Sequence, residues 1–245
     1  IDNYADCIST GIAWHLGEGG NYRAVISAEY NSLPDENVNV SFYREMQGEE
    51  VETENYSRYW HGSAGVIRLM LLFTDIKIIR YIIAGLGILL NLALVAVLIR
   101  KKQVVLGASY TVAFLLVNGV FALTCMEYAF IFLLVPAATI FLIQCKKMQQ
   151  RQNTQAAFLA IGMLTAYFDF LTTETLTFTV PFVVYYLVVK ESKEQQTVRK
   201  VQRKKDWFFL FKSGICWCAG YVGMFLTKWG LSAVTLGKDI FLDSA

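Results

Sequence analysis

From residue 78 onward the chain alternates long apolar runs with short charged breaks. Residues 78–99 are closed by Arg100-Lys101-Lys102, 104–124 follow, 128–145 are closed by Lys146-Lys147, and 207–226 lie near the end. About 20 apolar residues cross the roughly 30 Å hydrocarbon core of a bilayer as a helix, so each run is expected to span. Residues 156–189 form a further apolar stretch of 34 residues, interrupted at Phe168-Asp169-Phe170-Leu171-Thr172-Thr173-Glu174. That is too long for one span, and Asp169 and Glu174 would be costly in lipid. A hairpin of two short helices puts both acids at the water interface. The pattern therefore predicts an all-α integral membrane protein with about six transmembrane helices over residues 77–227.

The segment ahead of the first run is patterned differently. Residues 6–14 read as an amphipathic helix with Ile8, Ile12 and His15 on one face, stopped by Gly17-Glu18-Gly19-Gly20. A second helix is expected over 23–30, a turn at Pro34-Asp35, a strand-like or irregular stretch over 38–43, and an acidic run over 49–54. Residues 59–73 are apolar but too short to span, and Tyr59 and Trp60 at their start suit the headgroup level. They read as an interfacial helix.

Composition agrees with a membrane solvent. Apolar residues make up 55% of the 245 and charged residues 17%, against about 45–50% and about 25% in soluble domains. The net charge of +2 conceals an uneven distribution: residues 100–102, 146–151 and 190–205 hold 13 of the 22 Lys and Arg. These three segments follow the first, third and fifth spans, so they share one side, which the positive-inside bias makes cytoplasmic. Residues 1–76, the turns at 125–127 and 169–174, and residues 228–245 fall on the outer side. Residues 1–62 carry 11 acids against three arginines and recurrent aromatics, which points to an ordered external segment. An external residue 1 requires something upstream to have carried it across. The opening at Ile1 and the stop at Ala245 are accordingly expected to be the ends of a piece. The five cysteines show no metal-ligand spacing, and no phosphate-cradling loop, nucleophile elbow or nucleic-acid motif is present.

Candidate chemistry gathers on the outer face. Asp2 and Asp6 are one helical turn apart and suit a catalytic base or a metal-binding pair, or else a helix cap and a solvated acid. Arg58, Trp60 and His61 could hold a sugar or phosphate, or anchor an aromatic belt. Arg68 and Lys228 stand where a lipid phosphate would lie, the alternative being snorkelling. Asp169 and Glu174 flank hydroxyls at an external turn, whereas Glu127 reads as solvated. Polar residues inside the spans (Asn91, Ser109, Thr111, Asn118) are few and uncharged, which argues against a transport path.

Four stretches together carry a resemblance: Asp2-Asn3-Tyr4-Ala5-Asp6-Cys7-Ile8, Tyr56-Ser57-Arg58-Tyr59-Trp60-His61-Gly62, Tyr167-Phe168-Asp169-Phe170-Leu171-Thr172, and Gly220 to Phe225 with Lys228-Trp229. They resemble uncharacterised multi-spanning membrane proteins of Gram-positive bacteria, similar in layout to the GT-C glycosyltransferases that use polyprenyl-phosphate sugar donors. The resemblance implies a lipid-linked sugar as substrate, with an acid early in the first external loop, Asp2 or Asp6, as base or ligand of a divalent metal. It places Arg58, His61, Arg68 or Lys228 against the donor phosphate. A lipid-linked saccharide flippase and a non-catalytic envelope assembly protein are the competing expectations.

Overall fold

The computed structural model describes residues 3–15, 26–168, 172–190 and 199–237, and it is mostly helical, at 77%. Helix α1 (Asn3–Trp14), strand β1 (Glu29–Asn31), helix α2 (Val38–Met46), strand β2 (Thr53–Asn55) and helix α3 (Gly62–Leu71) form an N-terminal cap. A helical bundle follows: α4 (Ile76–Arg100), α5 (Val104–Leu116), a single turn α6 (Gly119–Ala122), α7 (Met126–Gln144), α8 (Arg151–Phe168), α9 (Leu176–Tyr185) and α10 (Arg199–Leu236).

Within the cap, α1 forms where expected and buries Ile8, Ile12 and Ala13. The stretch from Val38 is a helix and not strand-like. Asn37 caps it by accepting the Asn39 N–H at 3.3 Å, and the buried positions Val38 and Ser41 recur at helical spacing. The expected second helix over 23–30 survives among the described residues only as the helical position of Ile26, because Glu29–Asn31 is a strand. This strand pairs antiparallel with β2, Tyr30 opposite Glu54, and the Tyr30 hydroxyl donates to the Glu54 carboxylate at 2.7 Å. Helix α3 lies within the 59–73 stretch expected to be helical, and buries Ala64 and Ile67.

Among the described residues three helices are long and apolar enough to cross a membrane: α4, α7 and the Trp207–Leu236 part of α10. At 1.5 Å per residue the 25 residues of α4 reach about 37 Å. The other predicted spans form helices but fall short. Helix α5 stops at Leu116 because Asn118 takes a left-handed conformation, φ 53°, before α6 begins. The expected hairpin is present as a break between α8 and α9, and Asp169 at its centre lies outside the described residues. Helix α9 continues as a π-helical turn, Tyr186–Lys190. Helix α10 runs on to Leu236, beyond the sequence boundary at 226.

Helix directions follow from two cores. The first turns of α4 and α7 (Ile79, Ile83, Met126, Phe130) pack with Ile8, Ile12, Tyr30 and Ile67 of the cap. Their last turns (Leu94, Leu98, Leu142, Ile143) pack with Phe158, Phe182, Val188 and Phe209 at the other end. Arg100, Lys146 and Lys147 therefore lie at the end remote from the cap. Outward-facing positions are apolar: Leu89, Val105, Leu116, Ile215 and Val234 are all more than half exposed. Apolar surface on this scale marks a face for a membrane or for a partner protein.

Close packing binds α8 to α10, which run in the same direction with α9 returning between them. A Cβ on Gly162 would stand 2.1 Å from the Trp217 carbonyl oxygen, and one on Gly220 2.1 Å from that of Leu159. Backbones this near require small residues at the crossing, as helix pairs in lipid also use. Polar groups join the same helices. Thr177 of α9 donates to the Glu174 carbonyl at 2.8 Å, lies 2.7 Å from the Thr165 hydroxyl of α8, and accepts the Trp217 indole N–H of α10 at 3.1 Å. Asn91 of α4 donates to the Gly87 carbonyl and accepts the Tyr110 hydroxyl of α5.

Candidate functional site

The ionisable groups of the cap meet the bundle at two junctions. The first is built on Asp6, in the opening turn of α1 and only 1% exposed. Its Oδ1 accepts the backbone N–H of Met126 at 2.7 Å, and its Oδ2 lies 2.8 Å from Arg80 Nη2. Met126 is the first residue of α7, whose own N-cap, Cys125, supplies no side-chain bond. Asp6 thus caps α7 from another element, its charge matched to the positive end of the helix dipole. The same environment pushes the Cys7 thiol up, through burial first and the Asp6 charge second, with Arg80 opposing. Glu127, read from sequence as solvated, is 8% exposed in the next position.

Arg68 of α3 closes the other end of α1. Its Nε donates to the Ala13 carbonyl at 3.0 Å, and Nη2 donates to Ile12 at 2.8 Å and His15 at 2.9 Å. These are carbonyls that an α-helix leaves without intrahelical partners, so the guanidinium is a C-terminal cap. His15 Nε2 lies 3.0 Å from Asn31 Oδ1, tying the end of α1 to β1.

The second junction is the loop 56–61 laid on the end of α10. Trp60 Nε1 donates to the Met224 carbonyl at 2.8 Å, Trp229 Nε1 to Arg58 O at 3.2 Å, and Ser232 Oγ to Ser57 O at 3.3 Å. Lys228, 1% exposed, donates to the Ile26 carbonyl and sits 5.3 Å from the Trp60 ring centre. His61 is buried in a left-handed conformation, φ 50°, and its Nε2–H donates to Tyr56 O at 2.9 Å. Burial chiefly, with the nearby Lys228 ammonium, pulls its imidazole down to about 4, leaving it neutral at pH 7. Gly62 is required next: a Cβ there would stand 2.2 Å from the Tyr167 ring.

The structure thus brings Trp60, His61 and Lys228 together, and Arg58 lies beside them, exposed and with its guanidinium carbon 5.8 Å from the Tyr59 ring centre. Asp6 and Arg68 belong to the α1 junction. Glu174 is half-buried between α8 and α9, and its carbonyl, not its carboxylate, is what holds Thr177. Asp2 and Asp169 lie outside the described residues. Sequence reasoning passed over Arg80. Its signal was a charge inside the first apolar run, which demands a partner. Among the described residues no group of three or more His, Cys, Asp or Glu is placed to hold a metal ion.

Comparison with protein-family models, with characterised proteins and with solved structures found no match to this chain.

Proposed function

We propose that the chain is an integral membrane glycosyltransferase that moves a sugar from a polyprenyl-phosphate donor to an acceptor on the outer face, where the cap sits. The observation that carries this reading is the placement of ionisable groups. Asp6, His61, Glu127 and Lys228 are all buried where a polar cap meets an apolar bundle, at the end opposite the basic segments. The positive-inside bias makes that end external. Transfer needs a carboxylate to take the acceptor hydroxyl proton as its oxygen attacks the anomeric carbon. The bond from that carbon to the phosphate oxygen then breaks, and cations stabilise the departing polyprenyl phosphate. Asp6 caps bundle helix α7 and pairs with Arg80, and Arg68, His61 and Lys228 hold backbone groups of the cap, so the base falls to Asp2 or Asp169 and the exposed cation Arg58 meets the phosphate, with Glu174 nearest the hairpin acid in sequence.

A second reading, a non-catalytic assembly protein, is favoured by that same engagement of side chains in fastening the cap. The reconstituted protein, supplied with polyprenyl-phosphate sugars and assayed for released polyprenyl phosphate, separates the two. Transfer predicts turnover that Asp2→Asn or Asp169→Asn abolishes at unchanged thermal stability. Wild-type turnover retained by both variants refutes the assignment, and its absence with every donor favours the assembly role.

A further inference from the structure

An open groove runs along the exposed apolar side of α10. Phe178 of α9 forms one wall, Phe211, Ile215 and Val222 of α10 form the other, and Gly214 and Ala219 keep the floor low. From Leu210 to Val222 the helix rises about 18 Å, close to the roughly 15 Å depth of one leaflet's hydrocarbon. Every lining side chain is apolar or a thiol. One cation borders it: Lys212 is exposed, is in no ion pair with a described residue, and lies three positions before Ile215 on the same helical surface. It stands about 7.5 Å inside the apolar span that opens at Trp207. Helical side chains lean toward the N-terminus, so the Lys212 ammonium is directed back to the basic end of the bundle, where Arg100, Lys146 and Lys147 also lie.

We propose that this groove seats one acyl chain of an anionic phospholipid from the leaflet at the basic end, with Lys212 on its phosphate. A long polyprenyl chain fits less well, because the groove is one leaflet deep and its cation is at the end away from the cap. The proposal rests on insertion of α10 in a bilayer and not on glycosyl transfer.

Native mass spectrometry of the full chain, exchanged into equal phosphatidylglycerol and phosphatidylcholine, tests it. About a fivefold preference for retained phosphatidylglycerol is expected. Lys212→Gln should abolish the preference while lipid is still retained, Lys212→Arg should keep it, and Ala219→Leu should lose the lipid. Ala219 is exposed, so the last variant keeps the wild-type melting temperature. Equal retention in Ala219→Leu, no head-group preference in the wild type, or retention of polyprenyl phosphate in its place each overturn the proposal. A wild-type chain that fails to enter vesicles overturns the membrane reading itself.

Discussion

Replacing Gly162 by Ala tests whether the α8–α10 crossing holds the bundle together. The new methyl group would be placed 2.1 Å from the Trp217 carbonyl oxygen, 2.9 Å from its carbon and 3.0 Å from the Tyr221 nitrogen. Ordinary carbon contacts lie at about 3.5–4.0 Å, so the backbones must part by more than about 1 Å. The obstacle is main chain on a rigid helix and cannot rotate aside. Overpacking of this kind costs about 1–3 kcal/mol, and separation also strains the Thr165–Thr177–Trp217 bonds that cross the same gap. Gly223→Ala, on the partner helix α10, meets nothing within 4 Å and should change stability by 0 to about 1 kcal/mol in the favourable direction. Titration of the micellar protein with sodium dodecyl sulfate, followed by tryptophan fluorescence, measures both. The two variants should differ by about 1–4 kcal/mol, with Gly162→Ala the weaker. A Gly162→Ala protein within about 0.5 kcal/mol of the wild type refutes the crossing.

Asp6→Ala removes the cap on α7 and leaves Arg80 without its carboxylate, so it should destabilise by about 3–5 kcal/mol in the same titration. His61 has an ordinary value of 6.5 and a folded value of about 4, so the unfolded chain binds the proton more readily. Its contribution is complete above about pH 6.5 and fades as pH falls toward 4, on the order of 3 kcal/mol in all. His61→Gln should flatten the stability profile across that window, and an unchanged slope refutes the assignment. Thr177→Val leaves the Trp217 indole N–H without its acceptor and should cost about 0.6–2 kcal/mol. In an otherwise cysteine-free chain, an impermeant maleimide added to whole cells should label Glu50→Cys and not Lys147→Cys. The reverse pattern overturns the sidedness.

The bundle was readable because lipid-facing helices must be apolar along their length, and the basic breaks mark their ends. Helix α5 fell short for a local reason that hydropathy does not register, the left-handed Asn118 that stops it, whereas α8 opens on the polar Arg151, Gln152, Asn153 and Gln155. In the cap, Val38, Val40 and Phe42 mimic the alternation of a strand, yet the Asn37 cap decides for a helix. The true strands are three residues each and gain meaning only by pairing across the chain. The candidate residues were found by type but not by role. Asp6 looks like a base until Met126 and Arg80 are seen beside it, and Arg68 looks like a phosphate ligand until the end of α1 arrives under it. Partners so distant in sequence leave no trace in local pattern.

The loop on α10 also orders the making of the protein. Trp60 and Lys228 reach partners 164 and 202 residues away, so the cap cannot close until α10 exists. At roughly 5–20 residues per second, translation leaves about 10–30 s between the emergence of Trp60 and that of Met224. For that interval the loop's carbonyls and the Gly162 face of α8 both await a helix still to be synthesised. A chain stalled before α10 would leave both exposed.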